Sequence, residues 1–282
     1  MGTIVSFHAH PDDESIGTGG TLALAADAGH RVVLVFATRG ELGEPVPGVL
    51  AEGEQLTLRR TAEVFKSAEV LGAQRVEFLG WTDSGMIGDA TNDVPWCFWQ
   101  ADVEHAARRL AGILQEESPD VITIYDDNGG YGHPDHIQVH RVGMRAAELA
   151  DVPVVAQGTM NRDLIARAWE MAREQGIEVP DPPDSDTPPE DLTAAEGVTA
   201  AVTFGKAEAD LTHVVDTSAV TDRKRASMLS HGSQIGPDHF MASMPPDIFA
   251  FVFGPEWYIV EHRHDGEPPA LFAELFQPKP AA

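Results

Sequence analysis

Short, uninterrupted apolar runs alternate along the chain with longer stretches whose apolar positions recur at helical spacing. Thr3–Phe7, Arg31–Ala37, Arg75–Leu79, Val121–Tyr125 and Val152–Ala156 are rich in Val, Ile and Phe and read as strands. Arg31–Ala37 shows no polar alternation, as expected of a strand covered on both faces. Helical spacing marks Thr21–Ala28, which stops at Gly29, then Glu54–Leu71, Ala101–Glu117, Asp135–Leu149 and Arg162–Gln175. In Glu54–Leu71 the spacing of Leu58, Ala62, Phe65 and Ala68 predicts that this face is the buried one. Strand, helix and strand within the first forty residues make a βαβ unit. Continued alternation predicts an α/β fold, a mostly parallel sheet with helices on both faces.

The pattern changes at Ile177–Glu196, which holds five prolines, seven acids and no basic residue. Such a stretch reads as an extended insertion rather than a second fold. Beyond it come short strands near Val198–Phe204 and His213–Asp216 and a helix over Ser218–Leu229. Two apolar runs, Ile248–Phe253 and Trp257–Glu261, flank Gly254-Pro255 and suggest a closing hairpin. The expected organisation is a catalytic core over 1–176, an insertion over 177–196, and a C-terminal extension over 197–282 that completes the same domain.

Chemistry concentrates after two of the strands. His8-Ala-His-Pro-Asp-Asp-Glu14 follows the first, and Gly130-Tyr-Gly-His-Pro-Asp-His136 follows Val121–Tyr125. In open α/β sheets, ligands bind beyond the carboxyl ends of strands. If the two strands are neighbours, the two loops face one crevice. His10, Asp13 and His136 would then give a metal three protein ligands and leave a position open, as catalytic zinc requires. Asp12 would be left to face the attacking water as general base. His133 can stand beside the cation and stabilise an oxyanion, and Tyr131 can donate a hydroxyl to the same carbonyl. Asp135 is placed to hold a histidine of its own loop. His140 lies one turn beyond His136 and, without an HExxH pattern, reads as a packing residue. Glu41, at the end of the second strand, is a candidate substrate contact, and Arg59 or Arg60 could orient a polar substrate. The long loop Gly80–Trp99 carries Trp96 and Trp99 and reads either as a wall of the site or as a lid on the core.

Bulk composition narrows the partners. Forty-five acids against nineteen bases give a net charge of −26, which repels phosphate backbones and excludes nucleic acid as an expected partner. A single cysteine, Cys97, rules out an intrachain disulfide and a cysteine-based zinc cluster. With no membrane span and no basic leader, the expected location is cytoplasmic. The sequence is compatible with a homo-oligomer. A nucleotide-dependent oxidoreductase is disfavoured because Gly17-Thr-Gly-Gly20 lacks the GxGxxG spacing. No serine or cysteine nucleophile motif is present.

The two loops together resemble the LmbE/PIG-L family of zinc-dependent N-deacetylases. The resemblance implies a Rossmann-like α/β fold and hydrolysis of an N-acyl group, usually acetyl on a glucosamine unit. It assigns His10, Asp13 and His136 to Zn2+, with Fe2+ as the alternative metal, and gives Asp12, His133, Asp135 and Tyr131 the roles above. Gly40-Glu41, Arg60-Thr-Ala-Glu63, Asp83-Ser-Gly-Met86 and Asp127-Asn-Gly-Gly130 are most similar to the mycothiol-pathway branch. On that basis Glu41, Arg60 and Asp83 would contact sugar or inositol hydroxyls. The implied partner is a small-molecule N-acyl glucosaminide. The alternatives are an amidase cleaving mycothiol S-conjugates and, more distantly, a non-catalytic metal- or sugar-binding protein.

Overall fold

The computed structural model describes residues 1–174 and 204–280. Eight strands form one sheet: β1 (Thr3–His8), β2 (Arg31–Phe36), β3 (Arg75–Phe78), β4 (Val121–Tyr125), β5 (Val154–Thr159), β6 (His213–Asp216), β7 (Pro255–His262) and β8 (Gln277–Pro278). Their spatial order is β3-β2-β1-β4-β5-β7-β6-β8. The first five strands are mutually parallel, and β7, β6 and β8 extend the same sheet with antiparallel pairings. The α/β expectation holds, with helices on both faces.

The helices are α1 (Asp13–Gly17), α2 (Gly19–Asp27), α3 (Leu56–Leu71), α4 (Val103–Glu117), α5 (Pro134–Ala150), α6 (Arg162–Glu174), α7 (Thr221–Ser230), α8 (Phe240–Ser243), α9 (Pro246–Phe253) and α10 (Ala270–Leu275). Alternate strand residues feed two cores. Val5, Phe7, Val33, Val35, Ile122 and Ile124 pack under α4 and α5. Ile4, Val32, Leu34 and Phe36 pack under α2, α3 and α10. Burial on both faces explains why these strands read as continuous apolar runs.

Two expectations fail. Leu58 and Phe65 are 65% and 55% exposed; of the expected face Ala68 is buried, and beside it α3 buries Arg60, Glu63, Val64, Ser67 and Leu71. The register is turned because Arg60, Glu63 and Ser67 have polar partners waiting inside, a tertiary condition that hydrophobic periodicity cannot register. Nor is there a closing hairpin: Ile248–Phe253 lies within α9, and β7 pairs with β5 and β6. Pro245-Pro246 begins that helix, where a missing N–H costs nothing. The acidic stretch 177–196 and nearly all of the strand expected at 198–204 lie outside the described residues.

β1 is the switch point. The chain runs outward from it through β2 and β3 on one side and through β4 and β5 on the other. β1 and β4 are adjacent and parallel, Ile4 opposite Val121 and Ser6 opposite Thr123. Their carboxyl ends therefore open into one crevice.

Candidate metal-dependent active site

The β1 loop and the β4 loop deliver their histidines to a common point. The rings of His10 and His136 are 5.4 Å apart, and His133 lies 4.7 Å from His10 and 5.0 Å from His136. Local sequence fixes the second loop. Gly129, Gly130 and Gly132 all take positive φ, a region that side chains rarely adopt. A Cβ on Gly129 would come within 2.5 Å of the Cβ of His136. Pro134 then starts α5, and His133 caps it by accepting the Asp135 N–H at Nδ1, 3.1 Å away.

Hydrogen bonds set the tautomers. His136 Nδ1 donates to the Gly129 carbonyl at 3.2 Å, which leaves Nε2 as a lone pair. That Nε2 is buried without a hydrogen-bond partner and stands 3.5 Å from Asp13 Oδ1. His10 Nε2 donates to Asp135 Oδ2 at 3.1 Å, so its Nδ1 faces Asp13 Oδ2 at 3.6 Å. The His10 N–H holds the same carboxylate at 2.8 Å. Tetrahedral zinc with ~2.0–2.2 Å bonds separates neighbouring ligand atoms by roughly 3.3–3.6 Å. The donor chemistry of His10, Asp13 and His136 suits a divalent cation, with Asp13 turning Oδ2 toward His10 and Oδ1 toward His136.

Two other groupings are close. Ring nitrogens of His10, His133 and His136 lie within 4.8 Å of one another, as do His10 with the carboxylates of Asp83 and Asp135. Their atoms are already engaged. His133 Nδ1 is occupied by the Asp135 N–H. Asp135 accepts from the Ser84 N–H and hydroxyl as well as from His10. Asp83 accepts from the N–H groups of Gly85 and Leu42. The orphaned Nε2 of His136 belongs to two of these sets, and the proton that the cap leaves on His133 Nε2 favours Asp13 over His133 as the third donor.

Charge follows from this packing. Burial pushes the Asp13 carboxyl up, but His136 and His10 outweigh it and hold the pKa well below the usual carboxylate range. Burial lowers His10, yet Asp83, Asp13 and Asp135 raise it well above an ordinary histidine. His133 is driven down to about 2 by burial and by the two neighbouring histidines, so it is neutral and its proton sits on Nε2. Asp12 is raised to about 6 by burial, against the pull of Arg60.

The expected site residues divide by placement. Asp12 sits at φ 102°, ψ −30°, at the entry to α1, with Arg60 3.2 Å from its Oδ2. Arg60 is buried and also donates to the carbonyls of Gly40 and Pro11. From α3 it thereby braces the β1 and β2 loops. Asp135 does not hold a histidine of its own loop through its carboxylate, which instead reaches across to His10 and to Ser84. Glu41 accepts from the Asp83 N–H at 3.0 Å and so ties the β2 loop to the Asp83 loop. Tyr131 is 39% exposed at the rim, with its ring 4.9 Å from that of His136. His140 Nδ1 meets the Tyr125 carbonyl at 3.1 Å. Trp99 lies under the guanidinium of Arg141 and donates its N–H to Ser84 Oγ, whereas Trp96 is exposed.

Comparison with known proteins agrees with this constellation. A family model described as PIG-L, GlcNAc-PI de-N-acetylase, matches residues 5–147, the span that carries both loops. The chain belongs to the PIG-L family. It is 38% identical over 280 residues to a 1D-myo-inositol 2-acetamido-2-deoxy-alpha-D-glucopyranoside deacetylase of Thermomonospora curvata, covering 90% of this chain and 89% of that one. A deacetylase of the same name from Thermobifida fusca is 42% identical over 241 residues, 81% of this chain and 82% of the relative. In fold, this PIG-L chain is similar to an N,N'-diacetylchitobiose deacetylase from Pyrococcus horikoshii (TM-score 0.59, 18% identity, 92% of this chain and 84% of that one). It is also similar to the zinc-inhibited form of teicoplanin deacetylase Orf2 (TM-score 0.56, 14% identity, 94% and 100%). No helix among the described residues is long and apolar enough to cross a membrane.

Reading the sequence missed four contributors. Glu14 stands inside the first motif but carries no metal-ligand signal. Ser84, Tyr125 and His231 act through contacts that only the fold creates.

Proposed function

We propose that this PIG-L protein is a zinc-dependent N-deacetylase that removes the acetyl group from a GlcNAc unit joined to inositol. One observation carries the metal: the buried, unpartnered Nε2 of His136 set 3.5 Å from the Asp13 carboxylate. The substrate class follows the relatives, which are 38% and 42% identical and share the inositol glucosaminide name.

Zn2+ held by His10, Asp13 and His136 would acidify water and polarise the acetyl carbonyl. Asp12 accepts the proton of the attacking water as the new C–O bond forms. The His133 Nε2–H, fixed by the cap at Nδ1, donates to the developing oxyanion. At the rim the Tyr131 hydroxyl donates to the same oxygen. Asp12 then returns its proton to the amide nitrogen as the C–N bond breaks, releasing acetate and a free amine. Because His133 is neutral, it acts as a hydrogen-bond donor and keeps its proton throughout.

The test is a panel of N-acetylglucosaminides, the inositol-linked one included, given to zinc-loaded protein and read as free amine. Release from the inositol-linked member above the others supports the proposal. Absence of amine from every member refutes it, and release only from a mycothiol S-conjugate would make the chain an amidase.

A further inference from the structure

The backbone at Asp12 needs support that neither the metal ligands nor Arg60 supply. Its φ of 102° is one of three positive values among the described non-glycine residues, and it lies farthest from the left-handed helical basin. The Asp12 N–H is turned inward and donates to Glu14 Oε2 at 3.0 Å. Glu14 is completely buried. Its other oxygen, Oε1, accepts from His231 Nε2 at 2.6 Å, from the Ser15 hydroxyl at 2.8 Å and from the Ser67 hydroxyl. Ser227 bonds both serines, at 2.6 and 2.8 Å. These partners come from α1 itself, from α3, from α7 and from the turn that follows α7.

A carboxylate with four donors is fixed in two dimensions and cannot swing away from the Asp12 N–H. We infer that Glu14 is a positioning residue for Asp12, anchored from the far side by His231, so that the C-terminal part of the chain sets the aim of the general base. The inference rests on the deacetylase reading above and adds that the base works only while Glu14 Oε2 holds its strained peptide. Positive φ points the Asp12 side chain back towards Arg60 and the crevice. An unsupported peptide would relax, and a shift of ~1 Å at a reacting group can cost on the order of 100-fold in rate.

Glu14→Ala, Glu14→Gln and His231→Ala are compared with the unaltered, zinc-loaded protein for kcat, KM and zinc stoichiometry. Glu14→Ala is expected to lose at least tenfold in kcat, with KM within threefold and zinc content unchanged. Glu14→Gln keeps the shape but has one oxygen, which the three donors at Oε1 claim, so its NH2 meets the Asp12 N–H and a kcat loss like that of Glu14→Ala is expected, again with zinc unchanged. His231→Ala should lower kcat with the same unchanged KM and zinc. A purely structural role would lower the folded fraction but leave kcat per bound zinc alone, and that result overturns the inference. So does a Glu14→Gln enzyme with wild-type kcat. If Glu14→Ala does not fold, Glu14→Gln and His231→Ala still decide: wild-type kcat in His231→Ala would show that the anchor does nothing. An unaltered protein that releases no amine from any substrate fails the deacetylase reading instead, and the two failures are thereby distinct.

Discussion

Replacing Asp12 by glycine and by alanine tests the strained base without any assay of activity. Both substitutions remove the carboxylate and its 3.2 Å contact with Arg60, so those losses cancel in the comparison. What differs is the Cβ. At φ 102°, ψ −30° a residue with a Cβ sits outside the favoured regions, at a cost of ~1–3 kcal/mol. Glycine avoids that cost but gives up ~0.4–1 kcal/mol through its freer unfolded chain. The balance makes Asp12→Gly more stable than Asp12→Ala by about 1 kcal/mol, or about 2 °C in Tm for a chain of this size. The control is Lys66, exposed in the middle of α3, where alanine should be the more stable substitution by ~1 kcal/mol. Calorimetry and urea unfolding with a chelator present keep metal binding out of the comparison. Opposite orders at the two positions are the expected signature. Equal stabilities at position 12, or alanine ahead of glycine there, would refute the strain and weaken the case for Glu14 as its support.

The remaining predictions concern the metal and the proton. His136→Ala should lose zinc on dialysis, by elemental analysis, whereas His133→Ala should keep it and lose at least tenfold in kcat; the reverse pattern would exchange their roles. Asp135→Asn leaves the His10 Nε2–H without its carboxylate, so zinc affinity should fall by about 10- to 100-fold in a competition titration. Asp12 must be ionised to take a proton, so kcat/KM should rise with pH through an apparent pKa at or below about 6, since bound zinc adds to the pull of Arg60. Arg60→Gln removes that pull and should move the limb to higher pH; an unmoved limb would mean another group controls it.

How much of this was legible in the sequence depended on the range of the cause. Each strand that carries a ligand loop announced itself through local composition, whereas the adjacency of β1 and β4 entered only as a condition, which the sheet fulfils. Helix α5 could be read because Pro134 and a capping histidine are local signals. The buried face of α3 could not. Periodicity treats Leu58 and Phe65 as core and Arg60, Glu63 and Ser67 as surface. In the fold, Glu63 accepts from the N–H and hydroxyl of Ser233, and Ser67 serves Glu14. A buried polar face is stable only when its partners arrive from elsewhere in the chain, and those partners lie 53 and 170 residues away.

The same reasoning explains why α9 was taken for a strand. Ile-Phe-Ala-Phe-Val-Phe has no polar position to reveal a period, and short apolar runs fit either state. Pro245-Pro246 was the available signal, because proline suits the first turn of a helix and interrupts a sheet. Its consequence reaches the active site. As a helix, α9 ends at Gly254, whose carbonyl accepts from Thr217, and its last residue, Phe253, accepts from Lys224 on α7. Lys224 also pairs at 2.7 Å with Glu256, which receives the N–H groups of Gly20 and Thr21 at the start of α2. α7 is thus pinned at one face to the helix that follows the first motif. Near its end Ser227 bonds Ser15 and Ser67, which donate to Glu14, and in the turn beyond it His231 bonds Glu14 directly. Through these buried contacts the C-terminal part of the chain closes around the base.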